Sequence, residues 1–192
     1  MKCGAVFFDR DGTINKEVGY LADLDQLVLY PEAARAIRTV NESGMKAVVV
    51  TNQSGVARGY FDEAFVLTVH RRMAELLLAD GARIDGFYYC PHHPDEGLGE
   101  YRKDCFCRKP KPGMLFAAAR DMSIDLKRSY MVGDMMKDVE AAENAGARGI
   151  LVKTGYGGGR VSSTAKPVYV ASDILDAVMW IMGNERREHT DR

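Results

Sequence analysis

The chain has 192 residues, 46% of them hydrophobic and 28% charged, with 26 basic side chains against 27 acidic ones. That length suits one domain, or one domain with a small insertion, and the near-zero net charge removes the electrostatic motive for binding nucleic acid. No stretch approaches the roughly 20 apolar residues that span a bilayer, and the apolar start Ala5–Phe8 is cut off by Asp9, Arg10 and Asp11, unlike a signal-peptide core. A cytoplasmic protein with no membrane partner is the expectation.

Taken in chain order, apolar runs alternate with helix-period segments, the pattern of a parallel sheet with crossover helices. Ala5–Phe8 reads as a buried strand and Pro31–Asn41 as a helix, with Pro31 suited to its first turn. After Gly44, Ala47–Val50 is a second strand, rich in branched residues. Asp62–Leu78 is the longest helix, with Phe65, Val69, Met73, Leu76 and Leu77 expected in the core and His70 on the surface. A third strand is expected at Gly86–Tyr89, a helix at Lys111–Met122 and a strand at Tyr130–Val132. A helix over Asp138–Asn144 stops at Gly146, followed by strands at Gly149–Val152 and Val168–Val170 and a closing helix at Asp173–Met182. The sum is a doubly wound, three-layer α/β/α, Rossmann-like fold filling residues 1–182. Residues 183–192, highly charged, read as a frayed tail containing His189. The glycine-rich Gly155–Gly159 reads as a flexible loop, since no Gly-Lys-Ser/Thr follows it.

The chemistry gathers where strands end. Asp9 and Asp11 follow the first strand, two residues apart, and carboxylates there suit a hard cation such as magnesium and can divide nucleophilic and acid–base roles. Alone, the pair reads equally well as aspartates capping a turn. Thr51–Gly55 follows the second strand and offers a hydroxyl and backbone N–H groups to a phosphate oxygen; Arg108 and Lys109 offer fixed positive charge; Gly133–Asp138 follows the fourth strand. Four such pieces, in order and each beyond a strand, are hard to explain as caps.

With Asp9–Thr13, Thr51, Lys109 and Gly133–Asp138 in these places, the chain resembles the haloacid dehalogenase superfamily of phosphotransferases. The resemblance implies phosphoryl transfer through an aspartyl-phosphate. Asp9 is then the nucleophile and Asp11 the acid that protonates the leaving alcohol and later activates water. Thr51 and Lys109 hold the transferring oxygens. Magnesium binds Asp9, the backbone carbonyl of Asp11, and Asp134, while Asp138 supports the loop.

Four cysteines are too few for a disulfide framework, and three of them crowd together. Cys90-Pro91-His92 and Cys105-Phe106-Cys107 are separated by twelve residues and can form a closed Cys₃His zinc site. Spacing alone does not choose between His92 and His93. Such a zinc is structural, pinning a loop and positioning the adjacent Arg108 and Lys109; Cys3 reads as a core residue.

Only 39 residues separate Asp11 from Thr51 and 57 separate Thr51 from Lys109, both consumed by assigned elements, so no cap domain fits. Asp9–Asn15, Gly19-Tyr20, Thr51–Gly59 and Cys90–Pro94 are similar to the D-glycero-D-manno-heptose 1,7-bisphosphate 7-phosphatase family, which supplies heptose for lipopolysaccharide and other surface glycans. That resemblance implies zinc on Cys90, His92, Cys105 and Cys107. It implies substrate contacts at Glu17, Val18, Gly19, Tyr20, Thr51, Asn52, Gln53, Ser54, Arg108 and Lys109, with Arg108 offering a planar fork to the distal phosphate. The phosphorylated sugar is the one partner expected of a monomer. Met135 departs from the lysine common in the family, and Lys137 is not expected to replace it, since two helical residues rotate a side chain by about 200°. Histidinol-phosphate phosphatase is the neighbouring alternative, and a non-catalytic sugar-phosphate binder the alternative of a different class.

Overall fold

The computed structural model describes residues 2–157 and 163–190. Six strands, β1 (Ala5–Phe8), β2 (Lys46–Asn52), β3 (Gly86–Cys90), β4 (Tyr130–Gly133), β5 (Arg148–Val152) and β6 (Tyr169–Ala171), form one sheet in the order β3-β2-β1-β4-β5-β6. Every pairing is parallel, with Phe8 beside Val49 on one side and Val132 on the other. Five helices cover it: α1 (Ala33–Glu42), α2 (Glu63–Ala79), α3 (Gly113–Asp121), α4 (Met136–Ala145) and α5 (Ile174–Thr190).

Side chains alternate between two cores, as the pleat requires. Val6, Phe8, Val49 and Val132 pack with α1, α2 and α5; Ala5, Phe7, Val48 and Met131 pack with α3 and α4. Both faces of β1 are therefore dry, and burying a phenylalanine such as Phe7 or Phe8 contributes about 1.5–3 kcal/mol. Strand order reverses between β1 and β4, which opens a crevice at their carboxyl ends. No separate cap lies over it among the described residues. No helix there is long and apolar enough to cross a membrane.

The observed boundaries differ from the expected ones for local reasons. Helix α1 begins at Ala33, with Pro31 in the preceding turn. Helix α3 begins at Gly113 because Pro112, at its N-cap, forces Lys111 out of helical geometry. Helix α4 starts earlier than expected, at Met136, and ends on Gly146 at φ 76°, the left-handed stop that glycine supplies. The charged end is the largest correction: α5 does not stop at Met182 but runs to Thr190. Glu185 anchors this extension by accepting from Arg148 (3.0 Å) and the Tyr130 hydroxyl (2.8 Å). His70 is also corrected. It is buried in α2, stacked on Phe87 at 4.8 Å, because α2 turns that face toward β3. Burial, reinforced by Arg10, pushes its imidazole down to about 3.

Candidate active site

A cleft of about 300 Å³ opens over the carboxyl ends of β1, β2 and β4. Asp9, Asp11, Glu17, Gly19, Tyr20, Thr51, Asn52, Gln53, Ser54, Arg108 and Asp134 all line it, so the topology brings together nearly every residue singled out from the sequence. Val18 is exposed and outside the lining, and Lys109 lies beneath it.

Lys109 is almost wholly buried. Its ammonium donates to the Val50 carbonyl (2.8 Å) and forms ion pairs with Asp9 Oδ1 (2.9 Å) and Asp138 Oδ1 (2.7 Å). Burial alone would lower its pKa; the two carboxylates overcome that and hold it above the usual lysine value. Its peptide, cis to Pro110, is gripped by the Asn52 side chain, which accepts from Lys109 N and donates to Lys109 O, both at 3.0 Å. The Asn52 amide is thus committed to positioning Lys109, a role the sequence did not suggest.

Asp9 Oδ1 also accepts the Arg10 backbone N–H at 2.8 Å. Arg10, not singled out from the sequence, is fully buried and clamps Asp11 through Nε (3.2 Å) and Nη2 (2.9 Å), while Nη2 reaches Gln53 Oε1 (3.0 Å). Gln53 Nε2 in turn donates to Asp11 Oδ2 (3.0 Å) and Thr51 Oγ1 (2.9 Å), and Asn15 Nδ2 to Asp11 Oδ1 (3.0 Å). Burial would raise the Asp11 carboxyl, but the Arg10 charge and these donors hold it below the ordinary range.

Asp9, Asp134 and Asp138 present carboxylate oxygens within 4.8 Å of one another. Asp138 Oδ2 accepts the Met135 N–H (3.0 Å) while Oδ1 faces Lys109, so its oxygens are occupied in the manner expected of a loop support. Burial, then the Asp9 charge, pushes Asp134 up to about 7. Arg10 and Lys109 balance Asp11 and Asp138, and a bound magnesium would hold Asp9 and Asp134 in their ionised forms. The donor set is all oxygen, which is what magnesium prefers. Asp134 sits between two glycines: a Cβ on Gly12, at φ 78°, or on Gly155, at φ 58°, would lie 2.2 Å from Asp134 Oδ2. The start of the glycine-rich loop is docked here, with Thr154 Oγ1 donating to Gly12 O (2.6 Å) and Tyr156 N to Asp134 Oδ2 (2.8 Å). This corrects the expectation of a loop flexible from Gly155; Gly158 and Gly159 lie outside the described residues.

Beside the cleft, the Sγ atoms of Cys90, Cys105 and Cys107 lie 3.2–3.4 Å apart, and His92 Nδ1 lies 3.5 Å from Cys107 Sγ and 3.7 Å from Cys90 Sγ. Four soft or borderline donors converging this way fit a closed tetrahedral zinc. Contact with the neighbouring donors, Cys90 first, pulls the Cys107 thiol down, whereas the same contact, with burial, pushes Cys90 up. His93 faces elsewhere: its Nδ1 accepts the Asp95 and Glu96 N–H groups.

The cleft also contains residues the sequence reading left out: Arg58, His93, Met135, Lys137 and Tyr156. The expectation that Met135 and Lys137 point apart fails. Met135 is the extended N-cap of α4 (φ −126°, ψ 150°), so the helical rotation does not apply, and both residues line the cleft. Arg58 was legible in the Ser54–Gly59 run, but no spacing rule marks it as facing the cleft.

Comparison with known proteins agrees with this geometry. Residues 106–177 match the HAD-hydrolase-like family model. Over 185 residues the chain is 45% identical to D-glycero-D-manno-heptose-1,7-bisphosphate 7-phosphatase of Thermosynechococcus vestitus, an alignment covering 92% of this chain and 94% of that protein. It is also 45% identical over 176 residues to D-glycero-beta-D-manno-heptose-1,7-bisphosphate 7-phosphatase of Haemophilus influenzae, covering 91% and 92%. Among solved structures, D,D-heptose 1,7-bisphosphate phosphatase from B. bronchiseptica, complexed with magnesium and phosphate, superposes with a TM-score of 0.81 at 32% identity, covering 94% of this chain and 99% of that one.

Proposed function

The chain belongs to the D-glycero-D-manno-heptose 1,7-bisphosphate 7-phosphatase family of HAD hydrolases, and from that membership we propose that it removes the C7 phosphate of this bisphosphate in a magnesium-dependent reaction. The observation that carries the reading is Asp9 at the floor of the switch-point cleft, paired with buried Lys109 and adjoining Asp134.

Asp9 attacks phosphorus. Its Oδ1 is held by Arg10 N–H and Lys109, which leaves Oδ2 as the attacking oxygen. The leaving alkoxide takes a proton from Asp11, and the resulting aspartyl-phosphate is hydrolysed by water that Asp11 activates. The Arg10 charge and the Asn15 and Gln53 donors hold Asp11 ionised, the form the second half needs. Arrival of the phosphate dianion favours the protonated form that the first half needs, by like-charge repulsion. Thr51 and Lys109 stand by the transferring oxygens, Lys109 acting through Asp9. When bound on Asp9, the Asp11 carbonyl and Asp134, magnesium supplies positive charge to the phosphoryl oxygens. Glu17, Gly19, Tyr20, Gln53, Ser54 and Arg108 form the substrate wall, with Val18 outside the lining and Asn52 acting indirectly through Lys109. Zinc on Cys90, His92, Cys105 and Cys107 fixes the loop that precedes Arg108.

We place this activity in one catalytic domain over residues 1–182 in a monomeric cytoplasmic enzyme of surface-glycan heptose synthesis, with residues 183–190 extending α5 by about two turns. Phosphate release from the β bisphosphate, the anomer in the name of the H. influenzae relative, and from histidinol phosphate tests the substrate. A preference for the heptose is expected; preference for histidinol phosphate overturns the reading.

A further inference from the structure

A hydroxyl can meet a phosphoryl oxygen with its proton or with a lone pair, and only the proton attracts, because that oxygen is an acceptor. The Thr51 hydroxyl is not left to choose. Thr51 lies in β2 and Gln53 one residue past its end, and this spacing of two sends both side chains to one face. Asn52, between them, turns away to the Lys109 peptide. Thr51 is 1% exposed and lines the cleft, and its Oγ1 accepts Gln53 Nε2–H at 2.9 Å. An amide nitrogen offers hydrogens and no lone pair, so this bond cannot run the other way. Arg10, a donor only, settles which end of the Gln53 amide is nitrogen, since its Nη2 sits 3.0 Å from Gln53 Oε1. Among the described residues Thr51 Oγ1 makes no other hydrogen bond, so with the Gln53 side occupied its proton turns toward the cleft.

Gln53 lines the cleft too, but its amide has no hydrogen left for a substrate. The second Nε2 hydrogen goes to Asp11 Oδ2 at 3.0 Å, and Arg10 Nη2 is itself paired to Asp11 at 2.9 Å, so the three side chains close a buried ring. The backbone is pinned as well, Gln53 N donating to the Cys90 carbonyl at 2.7 Å. Resting on the phosphatase reading above, we propose that Gln53 is a positioning residue for phosphoryl transfer, which turns the Thr51 hydroxyl into a fixed proton donor to the transferred group without touching the substrate. A donor aimed in advance needs no reorganisation as charge shifts on the phosphoryl oxygens.

A double-mutant cycle of Gln53→Met and Thr51→Val, read by steady-state kinetics on the heptose 1,7-bisphosphate, tests the assignment. Thr51→Val is expected to lower kcat about 100-fold, the usual effect of losing one transition-state donor. Gln53→Met keeps the side-chain length but frees the hydroxyl to rotate, and is expected to lower kcat about tenfold with KM changed by less than about twofold. In the Thr51→Val background the same change lowers kcat by no more than about twofold, since no hydroxyl is left to orient. The cycle is repeated with Gln53→Glu, which keeps the acceptor for Arg10 and draws the Thr51 proton back toward itself. Its loss in kcat is expected to be about 100-fold with Thr51 present and about tenfold without it, the remainder coming from repulsion of Asp11. Losses that are equal with and without the Thr51 hydroxyl overturn the role, because Gln53 then acts through Asp11 or the fold alone. A rise in KM that outweighs the fall in kcat overturns it as well, being the mark of direct substrate contact. A wild-type enzyme that does not turn over the bisphosphate overturns the substrate reading, and the cycle is then read on p-nitrophenyl phosphate. Additive losses on the substrate that is turned over overturn the Gln53 role alone.

Discussion

The two candidate metal centres nearly meet in sequence, since Cys107 of one is a single residue away from Lys109, which pairs with the carboxylates of the other, and they are built on opposite principles. The carboxylate centre draws Asp9 and Asp134 from opposite halves of the chain, and adjacent strands with dry faces on both sides bring them together. Lys109, Arg10 and Asn52 then lock the arrangement through buried ion pairs and amide contacts. The thiolate centre takes all its ligands from residues 90–107, and only Cys90, at the end of β3, is buried. The loop beyond it leaves Leu98 68% and Phe106 60% exposed, so little apolar burial orders it. Where the sheet supplies the geometry, metal adds charge to a finished site. Where it does not, metal supplies the geometry.

Substitutions can separate these modes. The largest effect is expected at the nucleophile: Asp9→Asn lowers phosphate release by about 10⁴-fold or more while amide-exchange protection of β1 and β4 stays intact. Surviving turnover would contradict the aspartyl-phosphate route. The next is zinc loss. Cys105→Ser, or chelation, is expected to strip protection from residues 93–104 and lower turnover about tenfold, with β1 and β4 unchanged. Protection lost equally at both centres would erase the distinction.

Asn52→Ala probes the join between the two. It leaves the Lys109 peptide without its partner, and a destabilisation of about 1–3 kcal/mol in urea titration is expected, together with a fall in kcat. The smallest effect concerns the framework under Arg10. His70 has its pKa depressed in the folded state, so its contribution to stability is complete above about 6.5 and is lost as pH falls toward about 3. Its slope is about 1.4 kcal/mol per pH unit. Urea midpoints between pH 7 and 5 are expected to fall less steeply in His70→Leu than in the wild type.

What the sequence made legible divides along the same line. Strands such as Ala5–Phe8 are short apolar runs whose ends place Asp9, Thr51 and Asp134 in one crevice, and the zinc ligands lie close enough in the chain to be read as a group. The contacts that set side-chain roles were not readable, because they depend on which way a loop turns. Asn52 reads like a substrate contact until its amide is seen on the Lys109 peptide. Arg10 looks like a spacer between two aspartates until its side chain folds back on Asp11. His70 was misplaced because a polar residue in an amphipathic helix is usually solvated, and here the helix rolls it onto Phe87. Helix α5 outran its expected end because Glu185 finds Arg148 and Tyr130, partners from distant strands.

The glycines flanking Asp134 carry a lesson about what counts as an intact site. A single methyl group at position 12 or 155 would occupy the space of the Asp134 carboxylate. A chain with either change would keep every acid, every base and its whole charge balance, yet its metal-binding oxygen would be out of place. Two absent methyl groups are thus as much a part of this centre as its carboxylates, and a census of reactive residues would pass such a chain as competent.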